Sequence, residues 1–177
     1  MVYMMNETNN EHKSALARLM ATENITVEHS ATAQTASFHL ESRVLTLPIW
    51  KNMSLDVLDL LTGHEVSHAL HTPSEAWRIT VEAGPNRDGV YSNNFKHFLN
   101  VVEDARIEKR IKRLYPGLRR SFIQGYLELY RQDFFGTKES PINDGLLIDR
   151  INIHAKCGAA SEIEFKDSEQ DILHDLG

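Results

Sequence analysis

The chain has 177 residues, 41% of them hydrophobic and 25% charged, with a formal net charge of -6. That length suits one domain with a proper core, and the acidic balance disfavours nucleic acid or an anionic membrane as a partner held by bulk charge. The only cysteine, Cys157, excludes an internal disulfide and a cysteine-rich metal site.

In chain order, Glu7 to Glu23 reads as an amphipathic helix with Ala15, Leu16, Leu19 and Met20 on its apolar side. The period then changes. Ile25 and Val27 alternate with polar residues, and Phe38 and Leu40 are answered by Val44, Leu45 and Leu47 across Glu41-Ser42-Arg43, which predicts a hairpin of a small sheet. Pro48 suits a strand end or an edge. From about Asp56 a helix is expected, because Val57, Leu60, Leu61, His64, His68 and His71 recur at three- and four-residue steps, and Thr72-Pro73 should stop it. Between Pro73 and Ser92 the sequence loosens, with a loop signal at Gly84-Pro85-Asn86-Arg87-Asp88-Gly89. A long helix follows from about Ser92 or Asn93 to Leu114, its apolar side given to Phe95, Phe98, Leu99, Val102, Ile107 and Ile111, and Pro116-Gly117 ends it. Leu118 to Phe135 reads as a further helix, Asn143 to Ile153 as a short one, and the acidic residues 155–177 as a mobile or docked tail outside a domain of 1–154.

Chemistry concentrates at His64, Glu65 and His68, an H-E-x-x-H pattern. Residues four apart share a helix face, so the two imidazoles can bind one tetrahedral metal while Glu65 stands beside its open side as a candidate general base. A third protein ligand is needed. His71 lies seven residues beyond His64, about 10 Å along the axis, which is too far to share that metal comfortably; it suits a cleft wall. Glu103, thirty-five residues after His68, is the better candidate, completing a His, His, Glu set with one open position. Asn100 shares a face with Glu103 and could orient it; Asp104 points ~100° away and could hydrogen-bond a histidine. Everything in this reading depends on Glu103 approaching the two imidazoles.

The blocks Gly63-His64-Glu65-Val66-Ser67-His68-Ala69-Leu70-His71-Thr72-Pro73 and Phe98-Leu99-Asn100-Val101-Val102-Glu103-Asp104-Ala105-Arg106-Ile107-Glu108 resemble a family of gluzincin-type zinc metallopeptidase-like proteins encoded by large tailed bacteriophages. The likeness runs from about Ser37 to Arg131. It implies a zincin fold, Zn2+ on His64, His68 and Glu103, and Glu65 as the base. Longer members of that family look like such a peptidase region followed by a von Willebrand A-like domain, so this chain could be a front portion cut before a further domain. One departure matters: the E-x-x-x-D spacing of thermolysin-like enzymes calls for an aspartate at 107, where this chain has Ile107. That supporting carboxylate is either missing or comes from Asp104, Glu108 or another segment.

The expected protein is thus α+β and zincin-like, a small N-terminal sheet on a mainly helical core carrying the motif helix, and its expected activity is zinc-dependent hydrolysis of protein or peptide substrates. No run approaches the ~20 apolar residues needed to span a bilayer and Met1 to Asn6 lacks a basic leader, so the cytoplasm, the host's if phage-encoded, is the expected compartment. Candidates for an oxyanion donor are His154, Tyr126 and Tyr130. Two rivals stand beside this reading: a non-catalytic zinc-stabilised scaffold, and a nucleic-acid-associated protein using the basic helix 106–120.

Overall fold

A computed structural model describes residues 2–83, 90–138 and 140–172. Among them the order is α1 (Val2–Ala21), β1 (Thr26–Ser30), β2 (Ser37–His39), β3 (Val44–Pro48), α2 (Leu55–His71), α3 (Ser74–Ala83), α4 (Val90–Leu114), α5 (Leu118–Arg131) and α6 (Leu147–Cys157), with short 3-10 turns around α6. The α+β class and the helical predominance follow directly. The anticipated loop at 84–89 lies outside the described residues.

The sheet has three strands in the order β1-β3-β2. The expected hairpin forms, β2 antiparallel to β3 with Phe38 opposite Leu45, while β1 runs parallel to β3 along its other side. β3 is therefore central and β2 is left as an edge. Arg43, at the turn between β2 and β3, has a left-handed φ of 57°. Its guanidinium donates to the Ala69 carbonyl at 2.8 Å, pairs with Glu23 and lies over the Phe38 ring. The hairpin is thereby tied to the last turns of α2.

α2 begins at Ser54, whose hydroxyl accepts the Val57 N–H at 3.1 Å. It ends at Thr72, which adopts extended backbone ahead of Pro73. The helix is the centre of the core: it packs on α5, α4 and α1, burying Val57, Leu60, Leu61 and Val66. Two glycines allow the closest approach to α5. A Cβ at Gly125 would stand 2.9 Å from the Asp56 carbonyl oxygen, and one at Gly63 would stand 2.9 Å from the Phe122 ring.

Several boundaries differ from expectation. α1 buries Ala17, Met20 and Ala21, leaving Leu19 76% exposed. The stretch after Pro73 is helical, with Trp77 N–H bonded to the Pro73 carbonyl at 2.9 Å; proline here starts a helix as well as ending one. α5 stops four residues short of Phe135, before the left-handed Asp133. α6 starts at Leu147 because Gly145 interrupts the segment, and it runs to Cys157, so the anticipated domain boundary after His154 falls inside this helix. The described part of the acidic tail docks on α6: Glu169 pairs with Arg150 at 2.8 Å, and Phe165 packs on the cluster of Val101, Ile148 and Ile151.

Candidate metal centre

The last three turns of α2 carry His64, Glu65 and His68 into a cleft of about 410 Å³. Its other walls come from Thr35 to Phe38 along the β2 edge, from Trp77 on α3, from Asn100 and Asp104 on α4, and from Tyr126 and Lys156. The two imidazoles lie with ring centroids 5.1 Å apart.

α4 brings a carboxylate to them, and it is that of Asp104. Its Oδ1 lies 3.6 Å from His64 Nε2 and 3.4 Å from His68 Nε2, and these three side chains form the one potential metal-binding group found among the described residues. The sequence-based ligand set therefore needs a correction at Glu103. Its Oε1 accepts the Thr72 hydroxyl at 2.5 Å, and both its oxygens are held by Arg106 at 2.7 Å. The reason is helical register. The buried side of α4 is Val101, Asp104, Glu108 and Ile111, spaced three, four and three residues apart, with Ile107 beside them. Phe98 and Val102, assigned to that side from sequence, are 47% and 44% exposed. Glu103, one step of ~100° away, faces the end of α2 instead. The informative signal was the pair of carboxylates at 104 and 108, set between Val101 and Ile111 on a stripe that is otherwise apolar.

Each imidazole is fixed through its Nδ1. His64 Nδ1 is 3.0 Å from Glu108 Oε1, and the Tyr126 hydroxyl donates to the same oxygen. Lys112 reaches the other oxygen of Glu108 at 3.3 Å. His68 Nδ1 is 3.0 Å from the Thr72 hydroxyl, which in turn donates a hydrogen bond to Glu103 Oε1. With both Nδ1 atoms donating, both Nε2 atoms face Asp104, each offering a proton while its ring is charged and a lone pair once it is deprotonated. The carboxylate behind His64 is that of Glu108, four residues after Asp104 on α4.

The electrostatics agree with this division. Burial opposes the charge on His64, but the Glu108 hydrogen bond and the Asp104, Glu65 and Glu108 charges outweigh it and raise its pKa to about 9. Burial also works against the Asp104 carboxylate, yet His68, His64 and Lys156 hold it well below the usual range. Glu108 is lowered to about 2 by His64, Lys156 and Lys112 against the same penalty. Glu65 goes the other way: burial raises its carboxyl, against the pull of His64 and His68 and a backbone hydrogen bond from Phe38. Glu103, desolvated but gripped by Arg106 and Thr72, is lowered.

A metal fits this arrangement. Asp104 Oδ1 is buried without a hydrogen bond and stands 3.6 and 3.4 Å from the two Nε2 atoms, where a positive charge, carried by a protonated imidazole or by a metal ion, offsets the cost of its burial. Tetrahedral zinc with bonds of 2.0–2.1 Å sets its ligand atoms about 3.3 Å apart, close to the separations found. Of the remaining expectations, Asn100 lines the cleft. His71 does not join the ligands; its carbonyl accepts from Arg106, and burial with the Arg110 and Arg106 charges lowers its pKa. Tyr126 lines the cleft with its hydroxyl committed to Glu108, Tyr130 turns to the Ser161 carbonyl, and His154 packs on Phe165. Lys156, which sequence reasoning passed over, lies 3.1 Å from Asp104 Oδ2.

Compared with protein-family models, curated proteins and solved structures, the chain matches none. Among the described residues no helix is long and apolar enough to cross a membrane.

Proposed function

We propose that this chain is a zinc-dependent peptidase of the zincin type, with His64, His68 and Asp104 as the metal ligands and Glu65 as the general base. The observation that carries the reading is the buried Asp104 oxygen, without a hydrogen bond, set between two oriented Nε2 atoms, with Glu65 from the histidines' own helix lining the same cleft. The resemblance of the two sequence blocks to phage-encoded metallopeptidase-like proteins is in keeping with it, with the ligand position moved from Glu103 to Asp104. A bound Zn2+ would supply Lewis acidity, polarising a scissile carbonyl and drawing the pKa of water toward ~7.

The chain's own groups divide the remaining work. Glu65 takes the proton of the attacking water and hands it to the leaving nitrogen, and burial, which raises its carboxyl, strengthens it as the base. Phe38 N–H steadies that carboxylate from the edge strand. The β2 edge borders the cleft, and an extended peptide laid along it gains main-chain hydrogen bonds while its side chains meet Leu129, Phe134 and Phe135.

Metal analysis paired with digestion of a peptide library, with and without chelator, tests the proposal. Glu65→Gln should retain the metal and lose turnover, and a Glu65→Gln protein cleaving at the native rate would overturn the mechanism. A second reading, a non-catalytic zinc-stabilised scaffold, is favoured by the buried links that join α2, α4 and α5 through Glu108; it predicts bound zinc, chelator-sensitive melting and no cleavage of any peptide. The nucleic-acid reading gains no such support, because Arg106 and Lys112 of the basic stretch are committed to Glu103 and Glu108.

A further inference from the structure

The two oxygens of Asp104 are in different situations. Oδ1 has no hydrogen-bond partner and faces the histidines; Oδ2 takes the Lys156 ammonium at 3.1 Å. Lys156 comes from the last turn of α6, fifty-two residues away, and its side chain is only 11% exposed. The same ammonium lies 4.0 Å from Glu108 Oε1 and 5.5 Å from the centre of the Tyr126 ring. A cation this close to a prospective metal site repels the metal and needs a compensating role.

Carboxylates bind metals through one oxygen or two. A second oxygen on the metal would fill the position that a catalytic zinc site keeps open. We propose that Lys156 is a positioning residue that reserves Asp104 Oδ2, so that Asp104 offers the metal a single oxygen. Lysine suits the task, being a compact charge with three donors able to satisfy Oδ2 while leaning toward Glu108. α6 is held for this by Ile148, Ile151 and Ile153 in the core and by the Arg150–Glu169 pair. The inference rests on the metal centre proposed above and is independent of whether the protein cleaves peptides.

The test replaces the native metal with Co2+, whose visible absorption is intense when four-coordinate and weak at higher coordination numbers. Wild type should give the intense spectrum. Lys156→Met, fully loaded, should lose intensity several-fold as the freed Oδ2 joins the metal, and Lys156→Arg should keep the wild-type spectrum. An unchanged spectrum in Lys156→Met overturns the role of Lys156 alone; a wild type that takes up no cobalt overturns the metal centre and this inference with it. If Lys156→Met does not fold, X-ray absorption on the zinc-loaded wild type decides: one Asp104 oxygen at bonding distance supports the proposal, and two overturn it.

Discussion

His64 and His68 are held by unlike arms. The His64 arm is charged and buried: Glu108 is 3% exposed and is shared by the imidazole, the Tyr126 hydroxyl and Lys112. The His68 arm is neutral at its first link, a threonine hydroxyl, and only at its second reaches the half-buried Glu103–Arg106 pair. A buried carboxylate on one ring makes that ring the stronger base, while a hydroxyl chiefly sets its orientation. The two histidines of one motif should therefore contribute to metal binding by different physical means.

The largest test bears on which α4 carboxylate belongs to the centre at all. Asp104→Ala should abolish stoichiometric zinc, read by metal analysis of the purified protein, while Glu103→Ala should leave one zinc per chain. The reverse result would restore Glu103 as the ligand. Next, Glu108→Gln should weaken zinc about 10–100-fold in a chelator competition, the usual consequence of losing a carboxylate behind a metal-bound histidine. Thr72→Val should cost about tenfold or less in the same assay, since it removes orientation and leaves charge untouched. Equal losses in the two variants would erase the distinction between the arms.

A pH experiment sharpens it further. In the metal-free protein His64 has its pKa raised from 6.5 to about 9. A group bound more tightly to its proton in the folded state stabilises that state below its unfolded pKa, and the contribution is lost as pH rises through the folded value. The melting temperature of the chelator-treated protein should accordingly fall between pH 6.5 and about 9. The fall should shrink in Glu108→Gln and persist in Thr72→Val. The zinc-loaded protein, whose histidines are already deprotonated, should lack that component.

What the sequence revealed and what it hid follow the same division. α2 was legible because its evidence is local: an apolar face, a proline stop and two histidines one turn apart. The hairpin was legible for the same reason. α4 is legible as a helix, and of the apolar side expected for it Ile107 and Ile111 are buried, whereas Phe98 and Val102 are exposed because packing against α2 and α6 turns Val101, Asp104 and Glu108 inward. Two carboxylates on a buried stripe oppose the hydrophobic pattern on which the reading relied. A third acid beside them completed the one-residue error. The helix after Pro73 is hidden in the sequence because proline marks the end of one helix and the start of the next alike. Lys156 had no local signal, since its meaning comes from a partner on another helix.

The glycine seam between α2 and α5 has a consequence for motion. With Gly125 against the backbone at Asp56 and Gly63 under the Phe122 ring, these two helices approach so closely that no side chain larger than hydrogen fits at either position. The floor that carries His64, His68 and Tyr126 is therefore expected to move as one block, with any widening of the cleft coming from the β2 rim or from α3. Amide exchange should be slowest along the seam and fastest at that rim.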